Sequence, residues 1–524
     1  MHQVLNNPAR LAALSILLLV GAGCGDGARE NKNATDDSDE AYRPHFHFTP
    51  PSNWMNDPNG MVYSEGVYHF FYQYNPDSSV WGPMHWGHAT SADLVHWKRE
   101  PIALYPDSLG TIFSGSAVAD VNNTSGFGRR GKSPLVAIFT HHNEKAEKAG
   151  RNEFQNQSLA YSLDNGKTWI KHFRNPVLRS PGIRDFRDPK VIWYQPSNKW
   201  IMSLAAGDRI IFYSSYDLKE WSKESEFGSG VGAHGGVWEC PDLFPLEENG
   251  KTTWVLIVNI NPGGPNKGSA AQYFLGEFDG HSFTPINKKT NWLDYGPDNY
   301  AGVTWSNTGN RKILIGWMSN WLYANVVPTT TWRNAATIPR ELSLKRAGDE
   351  LYLASEPVKE LNSIQTERIG RSEITFDNKI DIKELIGRFQ IPCRLKLKMD
   401  TLTDFSLMIS NKSGDELIFG FDKITNEYYI DRIKSGKIDF HPDFGARHTA
   451  PRLSQDSSME FTVLLDVSSI ELFADGGMTV MTSVFFPRKP YTNLHLYSPG
   501  KQMVRSFEYA ELKNIWTDST VINK

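Results

Sequence analysis

Three observations predict an all-β chain built as a five-bladed β-propeller followed by a C-terminal β-sandwich. From Tyr42 to about Leu344, short runs of β-formers are broken by Gly, Pro, Asn and Asp, and no stretch keeps a helical period. Within that region a Ser-x-Asp turn followed by Trp recurs as Ser91-Ala92-Asp93 with Trp97, Ser162-Leu163-Asp164 with Trp169 and Ser215-Tyr216-Asp217 with Trp221, and more weakly as Asp279-Gly280-His281-Ser282-Phe283. A spacing of roughly 60 residues suits a four-stranded unit with variable loops, and about 300 residues at that period make five blades; a large sandwich with recurrent turns satisfies the same pattern. Further on, strand-like runs such as Leu395-Lys396-Leu397-Lys398-Met399 and Phe461-Thr462-Val463-Leu464-Leu465 stand between turn signals, as in a two-sheet sandwich.

In chain order, residues 1–24 carry Arg10, the apolar run from Leu11 to Val20, and Gly21-Ala22-Gly23 before Cys24, the parts of an export signal. The apolar run is too short to span a bilayer. The small-small-Cys ending resembles a bacterial lipoprotein signal, although Gly21 stands where an aliphatic residue is usual. On that resemblance Cys24 is the lipidated first residue of an exported protein, anchored to a membrane and facing the periplasm or the cell exterior; plain secretion is the alternative. Residues 25–41, rich in Asp, Asn, Gly and Ala, have the composition of a disordered tether. The propeller is expected over 42–344, a linker over 345–372 in which Glu356 to Asn362 has a local helical tendency, and the sandwich over 373–524, with Phe389-Gln390-Ile391 among its strands.

The 524 residues exceed one compact core. With 55 basic and 59 acidic side chains the net charge is −4, which gives no electrostatic basis for nucleic-acid binding. The 16 Trp suggest flat rings stacked on a ligand such as a sugar, with core packing accounting for most of them. Three cysteines form no disulfide framework and no zinc spacing, and His141-His142-Asn143-Glu144 lacks metal-binding spacing and is expected as a solvated loop. Neither a metal nor a cofactor is expected. Gly230-Val231-Gly232-Ala233-His234-Gly235 fits the dinucleotide pattern literally, but no helical stretch follows, so a flexible loop is expected there.

Three acidic residues sit in turn-rich motifs. In Asn53-Trp54-Met55-Asn56-Asp57-Pro58-Asn59-Gly60, the proline biases Asp57 towards extended backbone and Asn59-Gly60 is strong turn chemistry, which predicts a carboxylate in a turn at a strand edge. Arg187-Asp188-Pro189 repeats the Asp-Pro pair, with an arginine placed to keep Asp188 ionised. Trp238-Glu239-Cys240-Pro241-Asp242 sets a glutamate between an indole and a thiol, surroundings apolar enough to raise its pKa towards a general acid. Singly, Asp57 reads as an ordinary Asx turn and Asp188 as a surface ion pair, and Glu239 is equally a partly buried, paired glutamate.

Together these stretches resemble the invertase, inulinase and levanase family, glycoside hydrolase family 32, which cleaves β-fructofuranosyl bonds. Asn56 to Gly60, Phe186 to Pro189 and Trp238 to Pro241 are similar to its nucleophile, middle and acid/base motifs, in family order. Phe71 to Pro76, Trp81-Gly82-Pro83, His85 to His88, Phe113 to Ser116, Pro339 to Leu342 and Leu465 to Phe473 also resemble family segments, so the likeness covers about residues 44–515. It implies a five-bladed propeller joined to a sandwich and a retaining reaction. Asp57 would be the nucleophile, Glu239 the acid/base, Asp188 the transition-state stabiliser and Arg187 its orienting partner. Asn56, Gln73, Trp81, Phe113 and Ser114 resemble the family's fructose-binding positions, and Trp321 and Trp332 are candidates for stacking on a second sugar. The implied substrate is a fructan (levan or inulin) or sucrose, cleaved from the chain end; an endo-acting enzyme, a fructosyltransferase and a non-catalytic fructan-binding lipoprotein share the scaffold. A lipid on Cys24 makes one prediction of its own: Cys24→Ser abolishes labelling by a radioactive fatty acid, whereas unchanged labelling excludes that residue as the anchor.

Overall fold

The computed structural model describes residues 40–129 and 131–516. The export signal, Cys24 and most of the expected tether lie outside them. Five sheets of four or five strands, antiparallel apart from one short added strand, are followed by one sheet of ten. The blades begin with the inner strands Asn53–Ser64, Thr111–Ala119, Phe186–Tyr194, Val237–Glu248 and Tyr300–Thr304, and each continues outward by hairpins.

The recurrent turns join the third strand of each of the first four blades to its fourth. In each, an aspartate accepts backbone N–H bonds from the residues that reverse the chain: Asp93 from Val95 and His96, Asp164 from Thr168, Asp217 from Lys219 and Glu220, and Asp279 from His281 and Ser282. The fifth blade uses Gly348 instead, in the hairpin Arg340–Ala347 to Glu350–Pro357. This hairpin carries the blade past residue 344 into the region read as linker, because an outer hairpin with one solvated face is as polar as a connector. The local helix near Glu356 is a 3₁₀ turn at Lys359–Ile364.

One short segment closes the ring. Trp332–Arg333 pairs in parallel with Asn53 and Trp54 of the first blade, and Ala335–Ala336 pairs with Trp317 and Met318 of the fifth. Between them Asn334, at φ 72°, donates its amide to the Met55 carbonyl at 3.0 Å. Trp332 is therefore buried in the closure, beneath the Arg43 guanidinium, and not presented to a ligand.

Every inner strand also breaks its register at the same level. The irregularities fall between Met55 and Pro58, Ile112 and Gly115, Glu239 and Asp242, and Tyr300 and Val303, and in the third blade opposite the step from Ser203 to Ala205, where Asp188 lies. A bulge bends the strand and re-aims a side chain. The Asn-Gly expected to turn the chain after Asp57 therefore lies within one strand: Gly60, at φ +60°, takes up a second irregularity, and a Cβ there would come within 2.5 Å of the Trp86 ring.

In the sandwich, the long strands Ile369–Asp381 and Asn493–Glu511 pair along their lengths. The early half of the second pairs with Phe405–Ser410 and the late half with Cys393–Met399, so the bent pair carries the sheet from one layer to the other. Leu395, Leu407, Phe419, Val463 and Phe507 fill the space between. Phe389-Gln390-Ile391 is not a strand; it leads into Pro392, and Phe389 is buried against Tyr509.

Buried ions join the two domains. His47 lies between Asp466 at 2.8 Å and Glu471 at 2.7 Å, Glu471 also holds Arg340, and Arg340 reaches Asp294 at 2.9 Å; Arg432 of the sandwich pairs with Asp298 of the propeller at 2.6 Å. Burial alone would lower the pKa of His47, but the bonds and charges of Asp466 and Glu471 outweigh it and raise it to about 9. A folded pKa above the unfolded value contributes stability that is complete below about pH 6.5 and is lost as pH rises through about 9, about 3 kcal/mol at most. The thermal midpoint is accordingly expected to fall across that window. His47→Gln should flatten this limb and lower the midpoint at pH 6, since buried Asp466 loses its cation and Glu471 keeps only Arg340; an unchanged alkaline limb in that variant would remove His47 as its cause.

Candidate active site

The bulges bring one side chain from each blade to one mouth of the central channel: Asp57, Ser114, Asp188, Glu239 and Tyr300. Asp57 is fixed from three sides. Ser114 Oγ donates to Oδ2 at 2.8 Å, Asn56 Nδ2 donates to Oδ1 at 3.0 Å, and the Cys240 thiol lies 3.5 Å from Oδ2. Asn56 is held in turn by Trp54, whose Nε1 donates to its Oδ1 at 2.7 Å. Burial and the charge of Glu239 push the Asp57 pKa up, and the three donors oppose that shift.

Asp188 sits at φ 65°, a strained position for a residue with a side chain. Its Oδ2 accepts the Cys240 N–H at 3.1 Å, and its own N–H donates to Thr140 Oγ1 at 3.1 Å. Burial raises its pKa; Arg187 opposes this, while the charges of Glu239 and Asp57 add to it. Arg187 thus favours the ionised form of Asp188, as expected, but from a distance and not through a close hydrogen bond. Arg187 approaches Asp188 only to 3.9 Å and gives its close contacts to Asp185 at 2.7 Å and Glu239 at 2.9 Å.

Glu239 is likewise in polar surroundings, unlike the apolar site expected from its sequence neighbours. Arg187 donates to Oε1 through Nε and Nη2, and the Tyr300 hydroxyl donates to Oε2. Burial and the nearby charge of Glu239 hold the Tyr300 phenol well above its usual pKa, so it stays protonated as a donor. Trp238 turns away into the core, its Nε1 donating to Ala233 O at 2.9 Å with the His234 ring stacked on it. The glycine-rich stretch expected as a flexible loop is thus pinned beneath this strand, and strand Val237–Glu248 follows it.

A pocket of about 310 Å³ opens over these groups. Asn56, Asp57, Gln73, Trp81, Phe113, Ser114, Arg187, Asp188, Glu239 and Trp321 all line it. Gln73 is 2% exposed, and its Nε2 has no partner among the described residues. Trp81 is 42% exposed on one rim, tied to the Trp321 loop by its N–H bond to Asn325 Oδ1 at 2.9 Å. Trp321 stacks on Trp54, and Phe113 stacks on His142 at 4.3 Å.

Sequence reasoning missed Tyr300, which carries no motif, and the polar wall of His142, Glu147, Gln155 and Asp185. The paired histidines are not a solvated loop. Both are buried at the end of strand Leu135–His142, where His142 faces Glu147 at 3.2 Å. Among the described residues no group of three His, Cys, Asp or Glu could hold a metal ion.

Comparison with known proteins agrees with this architecture. Residues 47–355 match the model of the glycosyl hydrolases family 32 N-terminal domain, and residues 360–513 match that of the family's C terminal. A levanase from Bacillus subtilis is 45% identical over 500 residues, covering 92% of this chain and 72% of that protein. An extracellular exo-inulinase from Aspergillus niger is 39% identical over 499 residues, 88% of this chain and 93% of that protein. Among solved structures, exo-inulinase from Aspergillus awamori has a TM-score of 0.83 at 35% identity, covering 91% of this chain and 100% of that one. The fructofuranosidase from Schwanniomyces occidentalis complexed with fructose also has a TM-score of 0.83, at 33% identity and 91% and 99% coverage. Two family models that together span most of the chain, and relatives this similar along nearly its whole length, show that the chain belongs to glycoside hydrolase family 32.

Proposed function

We propose that this glycosidase is a retaining, exo-acting β-fructosidase that releases fructose from levan, inulin or sucrose. The observation that carries the reading is the pairing of two carboxylates held in different ways over one small pocket: Asp57 fixed by Ser114, Asn56 and Cys240, and Glu239 held by Arg187 and Tyr300. Ionised Asp57 attacks the anomeric carbon while Glu239 gives its proton to the leaving oxygen, and positive charge develops on the furanose ring. Asp188 accepts from fructose hydroxyls at that stage, close enough for its carboxylate to steady the developing charge. In the second half, water attacks the same carbon, Glu239 takes its proton, and the bond to Asp57 breaks, so configuration is retained.

The size of the pocket, about 310 Å³, fits one terminal sugar better than a chain passing through, which supports exo action. Gln73 offers unpartnered amide hydrogens to that sugar. Trp81 and Trp321 offer indole faces for the next unit. The relatives named as extracellular support export of this chain, with Cys24 as the proposed anchor.

Chromatography of products from levan, inulin and sucrose tests the reading: free fructose as the first product from any of them fits it, whereas oligosaccharides alone would favour endo cleavage. In the same assay Asp57→Asn should fold normally and lose at least about a thousandfold in turnover, because an amide cannot form the glycosyl-enzyme ester. Near-native activity would remove Asp57 from its role.

A further inference from the structure

Beneath the catalytic pocket a buried polar cluster crosses the channel. Asp242 of the fourth inner strand accepts the Thr304 N–H and hydroxyl and pairs with Lys190 at 3.1 Å, and Lys190 donates to the Thr304 carbonyl. Beyond it, at the opposite mouth, blades two to five enclose a cavity of about 730 Å³, more than twice the volume of the catalytic pocket. Along the fourth inner strand the two are separated by roughly 17 Å, at about 3.3 Å per residue from Glu239 to Phe244.

The lining of this cavity is unlike the core of a blade. Trp193 and Trp254 are only half-buried there, while Gln195 and Glu247 are exposed at the rim. Lys312 lines the cavity, and its ammonium has no hydrogen-bond or ion-pair partner among the described residues. Its half-burial pulls the ammonium pKa down, and the carboxylate of Asp242 opposes that.

These groups select a class of ligand. An anion would find one unpaired cation but also the carboxylates of Glu247 and Asp242. A wholly apolar ligand would cover the Lys312 ammonium without giving it an acceptor, which is costly. A neutral polyhydroxylated ring avoids both difficulties: its apolar face stacks on an indole, its oxygens accept from Lys312, and its hydroxyls donate to Glu247. The volume suits two or three such rings.

We infer that this cavity is a second, non-catalytic carbohydrate site, which holds a stretch of fructan chain while chain ends are cleaved at the other mouth. The identity of the occupant rests on the functional reading above; the site itself rests on the cavity and its side chains.

The test uses the full chain carrying Asp57→Asn, with and without Trp193→Ala or Lys312→Met, run through native gels containing levan or inulin. The Asp57→Asn protein should be retarded, and each added substitution should weaken the retardation about fivefold, the loss expected for one stacking or charged contact. Sucrose turnover by the Trp193→Ala and Lys312→Met proteins with Asp57 intact should stay within about twofold of the parent, since neither residue touches the catalytic pocket. Retardation unchanged by both substitutions would overturn the second site. Failure of the parent to hydrolyse any fructan or sucrose would instead count against the functional reading, so the two failures appear in different assays. Should Trp193→Ala not fold, Lys312→Met, which removes only an unpaired charge, decides alone.

Discussion

Three carboxylates crowded into one buried pocket are the constraint on which the rest of this structure depends. Burial and the charge of Glu239 raise the proton affinity of Asp57 and of Asp188, and Asp57 adds to the rise at Asp188, so the arrangement survives only where donors and a cation are fixed among them. The Cys240 thiol lies within 3.6 Å of both aspartates, its own pKa pushed well above the usual value by burial and by their charges, so it remains a protonated, weak donor. Among the described residues Arg187 is the one guanidinium lining the pocket, and its close bonds go to Glu239 and Asp185. The network distributes its limited positive charge unevenly, and that asymmetry distinguishes the two carboxylates assigned to acid/base catalysis and attack.

Holding such a cluster needs rigid backbone, and the propeller supplies it from five directions. A bulge at one level of every inner strand aims its side chain into the channel, while the second and third strands of the first four blades pair without a break. The sandwich acts through the same strands. Asp294, bonded to Arg340 of the fifth blade and across the interface to Thr482, and Asp298, bonded across it to Arg432 and Val484, fix the segment that enters the strand of Tyr300. His47, held by Asp466 and Glu471, fixes the segment that enters the strand of Asp57. The buried ion pairs are thus placed to specify geometry at the site, a role for which buried charge is better suited than for net stabilisation.

What could be read from the sequence was local. The Ser-x-Asp turns announced themselves because the aspartate bonds the backbone two to four residues on, and their spacing gave the blades. The three acids were found because each sits in a short, distinctive motif. Tyr300 was not, since Asp298-Asn299-Tyr300-Ala301 has no signature and its bond to Glu239 spans 61 residues. The closest partners of Arg187 were missed for the same reason: adjacency pointed to Asp188, at 3.9 Å, whereas the fold brings Glu239 of the next blade to 2.9 Å. Asn59-Gly60 and the fifth blade's outer hairpin show the remaining limit, that positive φ serves a bulge as well as a turn and an exposed hairpin is as polar as a linker.

The assignment of attack to Asp57 and proton transfer to Glu239 is tested most directly by the stereochemistry of azide rescue. With a fructoside whose activated leaving group needs no proton, Glu239→Ala should still form the fructosyl-enzyme, and azide should replace the water that Glu239 no longer activates. The account predicts a fructosyl azide of retained configuration from Glu239→Ala, and from Asp57→Ala only an inverted one. An inverted azide from Glu239→Ala, or a retained one from Asp57→Ala, would contradict it.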